Sequence, residues 1–250
     1  MADEGDSRQY RLAKLALLIG LAIAGQFIAR LIATWYVNGV SAPAQHASIA
    51  TDWLLLVCVP FGLFTAPTLS ISSTPLLDRL MRREPIAHQF NRALFHSLVL
   101  VVISLAAGLA LLMLPHPHSQ APTTTLDAPV PLPFAMLLAL AAPLREEIEF
   151  RLGLLTALGW IIYRMTRRRP LSLAIANVGQ ALLFGAIHQL AGFTGRTSAL
   201  SLIGIVLEPR TIGGLIGGYA YFSYGLEVAV MTHAIYDATI SITVALLSHP

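Results

Sequence analysis

Hydrophobic positions in this chain come in long blocks, and the polar positions gather into short stretches between them. Leu12 to about Val37 is the first apolar run, preceded by Arg8, Arg11 and Lys14. It is longer than the apolar core of a secretory leader, so it reads as a permanent anchor and not as a segment cleaved near Ala42-Pro43-Ala44. Asp52 or Trp53 to about Ile71 is a second run, with bends expected at Pro60 and Pro67. A charged connector, Asp78 to Arg92, leads into a third run, Ala93 to Leu114. Pro115 to Pro133 is a Pro/Thr loop. Beyond it, Phe134 to about Tyr163 reads as one long helix with Pro143 inside, followed by a span over Leu171–Leu190. Ser198–Leu207 is apolar but too short to cross alone, so it reads as re-entrant or peripheral. Ile212–Tyr224 and Leu226–Leu247 close the chain. In the former, Gly213, Gly214, Gly217 and Gly218 form two overlapping small-xxx-small pairs, a spacing that lets helices approach closely.

The pattern predicts an all-α fold, a polytopic membrane bundle of about seven transmembrane helices. Its expected parts are a cytosolic tail over 1–11, a three-helix membrane part over 12–114 and a core over 130–247. Composition agrees: the 250 residues are 56% hydrophobic and 12% charged, where a soluble domain carries about 25% charged residues. Mean hydropathy is +0.69.

Charge adds orientation. The net charge of +3 is small, but arginines cluster at Arg79, Arg82, Arg83, Arg92, Arg164, Arg167, Arg168 and Arg169. Loops 38–52 and 115–133 carry neither Lys nor Arg, so the positive-inside rule puts the N-terminus in the cytoplasm. No basic patch interleaved with aromatics points to nucleic acid. Cys58 is the only cysteine and lies in an apolar run, which argues against a disulfide or a thiolate nucleophile. His116 and His118 read as solvated loop histidines.

One stretch breaks the apolar pattern: Arg145-Glu146-Glu147-Ile148-Glu149-Phe150-Arg151 puts five charges within seven positions of a greasy helix. Charge at membrane depth is costly, about 2.5–3.5 kcal/mol per group on insertion scales, so it is kept for function or pairing. Helical spacing pairs Glu147 with Arg151 and Arg145 with Glu149, leaving Glu146 as a carboxylate without a local partner and a candidate general base. His188 and His233 lie on two further spans, and Asp237 follows His233 by one turn, where it can fix the tautomer of the ring.

Glu146-Glu147-x-x-x-Arg151, Phe184-x-x-x-His188 and His233-x-x-x-Asp237, in that order, resemble the CAAX protease and bacteriocin-processing (CPBP/ABI) family of intramembrane glutamate peptidases, which includes the type II CAAX prenyl endopeptidases. The resemblance covers about residues 130–247 and implies an intramembrane endopeptidase acting on a peptide or membrane-protein substrate in the lipid bilayer of a bacterial inner (cell) membrane. It implies that Glu146 activates water with His188, that His233 and position 237 stabilise the oxyanion, and that Glu147 and Arg151 support the motif. Prenyl-protein members have Asn at the last position, whereas Asp occurs in prokaryotic branches. An ionised Asp cannot donate to an oxyanion, so Asp237 is expected to orient His233 or to act protonated. That substitution also points away from a eukaryotic prenyl-protein substrate. The resemblance implies no metal cofactor. Two Glu and two His could ligate zinc, but no His-Glu-x-x-His pattern is present and adjacent Glu146 and Glu147 diverge by about 100° on a helix. The alternatives are a zinc-dependent membrane metallopeptidase, a non-catalytic immunity or scaffold protein of the same fold, and a small transporter or channel.

Overall fold

A computed structural model of the chain describes residues 4–36, 54–113, 131–192 and 209–248, and these are helical nearly throughout. Helix α1 spans Glu4–Tyr36. A broken segment follows: a π-helical stretch Leu54–Cys58, α2 Val59–Thr65 and a 3-10 turn Ala66–Leu69. Then come α3 Pro75–Met81, α4 Ala87–Leu112 and α5 Leu132–Glu147. A second π-helical segment, Ile148–Leu155, runs from α5 straight into α6 Thr156–Thr166. Last are α7 Arg169–Gly192, α8 Pro209–Tyr224 and α9 Leu226–Ser248.

Three expectations change. The tail expected over 1–11 is helical from Glu4, because Tyr10 and Lys14 on its first turns have a partner: Asp78 of α3 accepts from both, at 2.9 and 2.6 Å. The second run is not one helix, since Pro60 opens α2 and Pro67 opens the 3-10 turn, each removing a backbone donor. By length and composition, four described helices can cross a membrane: Gln9–Ile28, Ala87–Leu111, Arg169–His188 and Leu226–Leu246. The described residues do not establish the figure of about seven: α8 has only 16 residues, and the long helix through α5 carries the charge cluster. The re-entrant reading of 198–207, the loop histidines His116 and His118, and both lysine- and arginine-free loops lie outside the described residues.

The outer surface is apolar. Phe27 is 65% exposed, Phe95 63%, Val102 66% and Leu246 73%, a belt that is stable against lipid and would aggregate in water. The protein is integral to the membrane. Inside the bundle, α9 packs against α5, α4 and α8, α8 lies along α7, and α1 covers the back of α5. Buried Val59, Leu63, Ile148, Leu152, Leu155, Tyr221 and Val228 join α2, the long helix, α8 and α9 into one core. Two glycines set the closest crossing: a side chain at Gly62 would strike the carbonyl oxygen of Leu152, and one at Gly153 would come within 3.2 Å of Val59.

Candidate active site

The charge cluster sits where α5 passes into its π-helical continuation, a local widening that is frequent at functional sites. The two ion pairs read from spacing are present. Arg145 Nε meets Glu149 Oε1 at 2.6 Å, and Arg151 Nε meets Glu147 Oε2 at 2.9 Å, with Arg151 Nη2 donating to Glu147 Oε1 at 3.0 Å. Arg151 and Glu147 are 0% and 1% exposed, a depth at which a lone charge would be prohibitive and a hydrogen-bonded pair is tolerated. Each arginine also reaches a partner outside the cluster. Arg145 donates to the side-chain oxygen of Gln26 on α1, and Arg151 to that of Gln180 on α7.

Glu146 lines a cavity of about 640 Å³ between α4, α5, α7, α8 and α9, with the Glu147–Arg151 pair in its wall. There the histidines meet it. His188 Nε2 lies 3.7 Å from Glu146 Oε1, and His233 Nε2 lies 3.9 Å from Glu146 Oε2. The carboxylate without a partner on its own helix is thus flanked by two imidazoles from α7 and α9. Asp237 is one turn beyond His233, with Oδ2 3.5 Å from the same Nε2. All four candidate residues from the sequence line this one cavity.

Hydrogen bonds set the ring orientations. His188 Nδ1 donates to the Phe184 carbonyl at 2.8 Å, so in the neutral ring the Nε2 lone pair faces Glu146. His233 Nδ1 is 2.9 Å from Glu147 Oε1, a carboxylate already held by Arg151, so Nδ1–H donates there and Nε2 faces the cavity. The ring contacts differ from those expected. It is Glu147 that hydrogen-bonds the His233 ring, at Nδ1, in addition to pairing with Arg151, while Asp237 lies 3.5 Å from Nε2. The Phe184 ring lies against His188, with centroids 4.4 Å apart, and the Arg151 guanidinium lies over the same ring, 5.0 Å from its centroid.

A polar ladder on α7 was not singled out from the sequence. Gln180 Nε2 donates to the Gly214 carbonyl and to Asn177 Oδ1, both at 2.9 Å, and Asn177 Nδ2 donates to the Leu215 carbonyl at 3.0 Å. Its signal was available: Asn177, Gln180, Phe184 and His188 recur at helical spacing in an otherwise apolar span. The glycine pairs of α8 divide their work. Gly214 and Gly218 abut α7, where an added carbon at Gly214 would lie 3.0 Å from Ala181. Gly213 and Gly217 line the cavity, and an added carbon at Gly217 would lie 2.9 Å from Arg151 Nη2.

The arrangement can place a water between a carboxylate and an imidazole acceptor, opposite a second imidazole whose Nε2 donates once both its ring nitrogens are protonated. Among the described residues, no three His, Cys, Asp or Glu side chains are disposed to hold a metal ion.

Comparison with known families agrees with the motifs. Residues 128–239 match the family described as Type II CAAX prenyl endopeptidase Rce1-like. The matched stretch begins just ahead of α5 and ends two residues after Asp237, so it takes in every candidate site residue. The resemblance read from the ordered Glu-Glu, His and His-Asp motifs is borne out over this stretch. No curated protein and no solved structure matches.

Proposed function

We propose that the cavity holding Glu146 is the active site of an intramembrane endopeptidase. The observation that carries this is that His188 and His233, from two further helices, both come within 4 Å of the Glu146 carboxylate. A water beside Glu146 and Nε2 of His188 gives up a proton to this pair as its oxygen adds to the scissile carbonyl carbon. The carbonyl oxygen takes on negative charge and accepts from Nε2–H of His233, whose ring acts as the imidazolium, protonated on both nitrogens between Glu147 at Nδ1 and Asp237 beside Nε2. Glu147, itself held by Arg151, accepts from Nδ1 and keeps that nitrogen turned away from the substrate. Asp237 lies beside Nε2 and holds the ring through the charge change. When the tetrahedral intermediate collapses, the C–N bond breaks and the proton taken from water passes to the leaving amine. Apolar walls from Leu138, Ile212, Ile216 and Ile240 suit the hydrophobic side chains of a peptide or membrane-protein segment. The chemistry proposed is metal-independent.

The test is peptide cleavage by the full chain in proteoliposomes, wild type against Glu146→Ala and His188→Ala, with and without a chelator. Each variant is expected to lose about 10²–10⁴-fold in turnover while remaining folded. Undiminished cleavage by either variant would sink the mechanism, and loss of wild-type cleavage on chelation would replace it with a zinc site.

A further inference from the structure

A second cavity, of about 400 Å³, lies at the arginine-rich end of the bundle, away from Glu146. Its wall is built from the first turns of α4, the C-terminal turn of α8, the start of α9 and the guanidinium of Arg169. Gln89, Arg92 and His96 of α4 face it at successive helical turns, with Ser223 and Tyr224 of α8 opposite. Two guanidiniums, an imidazole, an amide and several hydroxyls line it, and among the described residues no carboxylate does. Glu227, at the start of α9, lies behind Gly225 of the wall and accepts through Oε1 from the backbone N–H of Leu77 at 2.8 Å, at the start of α3.

The cavity is ordered from several sides. Arg169 donates from Nε to the Leu69 carbonyl and from Nη2 to the Ser70 carbonyl at 3.3 Å, which holds its guanidinium at the rim. The His96 ring is stacked on Tyr224, with centroids 4.1 Å apart and planes at 16°. Ser97 donates to the carbonyls of Ala93 and Val228, at 2.9 and 3.3 Å, and ties α4 to α9 behind the cavity. Three membrane-crossing helices start around it, at Ala87, Arg169 and Leu226. That places it at one membrane–water boundary, the depth of lipid phosphates. Beside it on α4, Phe95 and Val102 are 63% and 66% exposed and offer a greasy track for an acyl chain running on into the bilayer. Basic pockets between helix ends at this depth are suited to anionic headgroups.

We propose that this cavity binds the phosphate group of a membrane lipid, with Arg92 and Arg169 contacting the phosphate oxygens. The inference stands apart from the peptidase reading, since it uses none of the residues assigned there. The test is titration of the full chain in neutral detergent with dihexanoyl phosphatidylglycerol, dihexanoyl phosphatidylcholine and inorganic phosphate, followed by the thermal unfolding midpoint. Saturable stabilisation by phosphatidylglycerol is expected, weaker with the zwitterionic lipid. Arg92→Gln should weaken it at least tenfold without moving the lipid-free midpoint, because Arg92 is on the surface, whereas Arg168→Gln, in the turn nearby, should not. Competition by inorganic phosphate with the same dependence on Arg92 would support the site and assign it to phosphate from either source. Absence of saturable binding, or equal weakening in both variants, would overturn the proposal.

Discussion

His233 has its two ring nitrogens turned toward different acids, and this division makes Glu147 as consequential as Glu146. Nδ1 is tied to Glu147, which is itself locked to Arg151, while Nε2 is left for the cavity. Glu147→Gln should therefore do two things at once. It leaves the Arg151 guanidinium buried without its counter-charge, a loss of about 3–5 kcal/mol for a pair of this kind. It also lets the His233 ring turn, so cleavage should fall even at temperatures where the variant is folded. Replacing both partners, with Glu147→Gln and Arg151→Met together, should recover much of the stability and none of the activity. Unfolding midpoints in detergent alongside cleavage rates check this, and a single variant as stable as wild type would refute the account of the pair. Glu146, His188, His233 and both ion pairs were legible in the sequence because each rests on i, i+4 spacing or on a charge placed where lipid forbids it. The Glu147–His233 contact was not, because it joins residues 86 positions apart and no local rule reports which acid a distant ring will face.

At the scale of elements, prolines and glycines decide where helices break and how near they come. Pro60 and Pro67 cut the second apolar run into three short pieces, which periodicity alone reads as one bent span. Pro143, by contrast, stays inside α5. The four glycines of α8 were legible as a close-packing signal but not as two faces, since the same spacing fits either pair. The structure separates them, and alanine substitutions should do the same. Gly213→Ala meets nothing within 4 Å and should behave as wild type. Gly214→Ala presses within 3.0 Å of Ala181 and should lower the unfolding midpoint through loosened α7–α8 packing. Gly217→Ala presses on Arg151 and should reduce cleavage more than stability. Equal effects from Gly213→Ala and Gly217→Ala on cleavage would show that the cavity face has been misassigned.

The whole molecule places its reactive groups between helices that belong to different spans, so no single helix contains the site. The first span joins it too: Gly25 lies where a side chain would come within 2.6 Å of the Ala141 carbonyl, and Gln26 accepts from Arg145. The part of the chain outside the family match thus braces the back of the motif helix. The sequence showed an anchor there without showing what it touches, because an apolar face is the same against lipid as against a neighbour.

The unbroken run from α5 through the π-helical segment to α6 has pieces of 16, 8 and 11 residues, so it is about 50 Å long, against a hydrocarbon layer of about 30 Å. A rod of that length meets the bilayer only by leaning or by standing proud of it, and its angle must follow the thickness of the lipid around it. Glu146 rides on that rod, whereas His188 and His233 ride on others, so membrane thickness becomes a setting for the distance between base and imidazoles. Cleavage in vesicles whose monounsaturated acyl chains run from about 14 to 22 carbons should pass through a maximum, falling several-fold at both extremes with the protein still folded. A flat profile would mean that the helices lean together, carrying the site as one body through membranes of any depth.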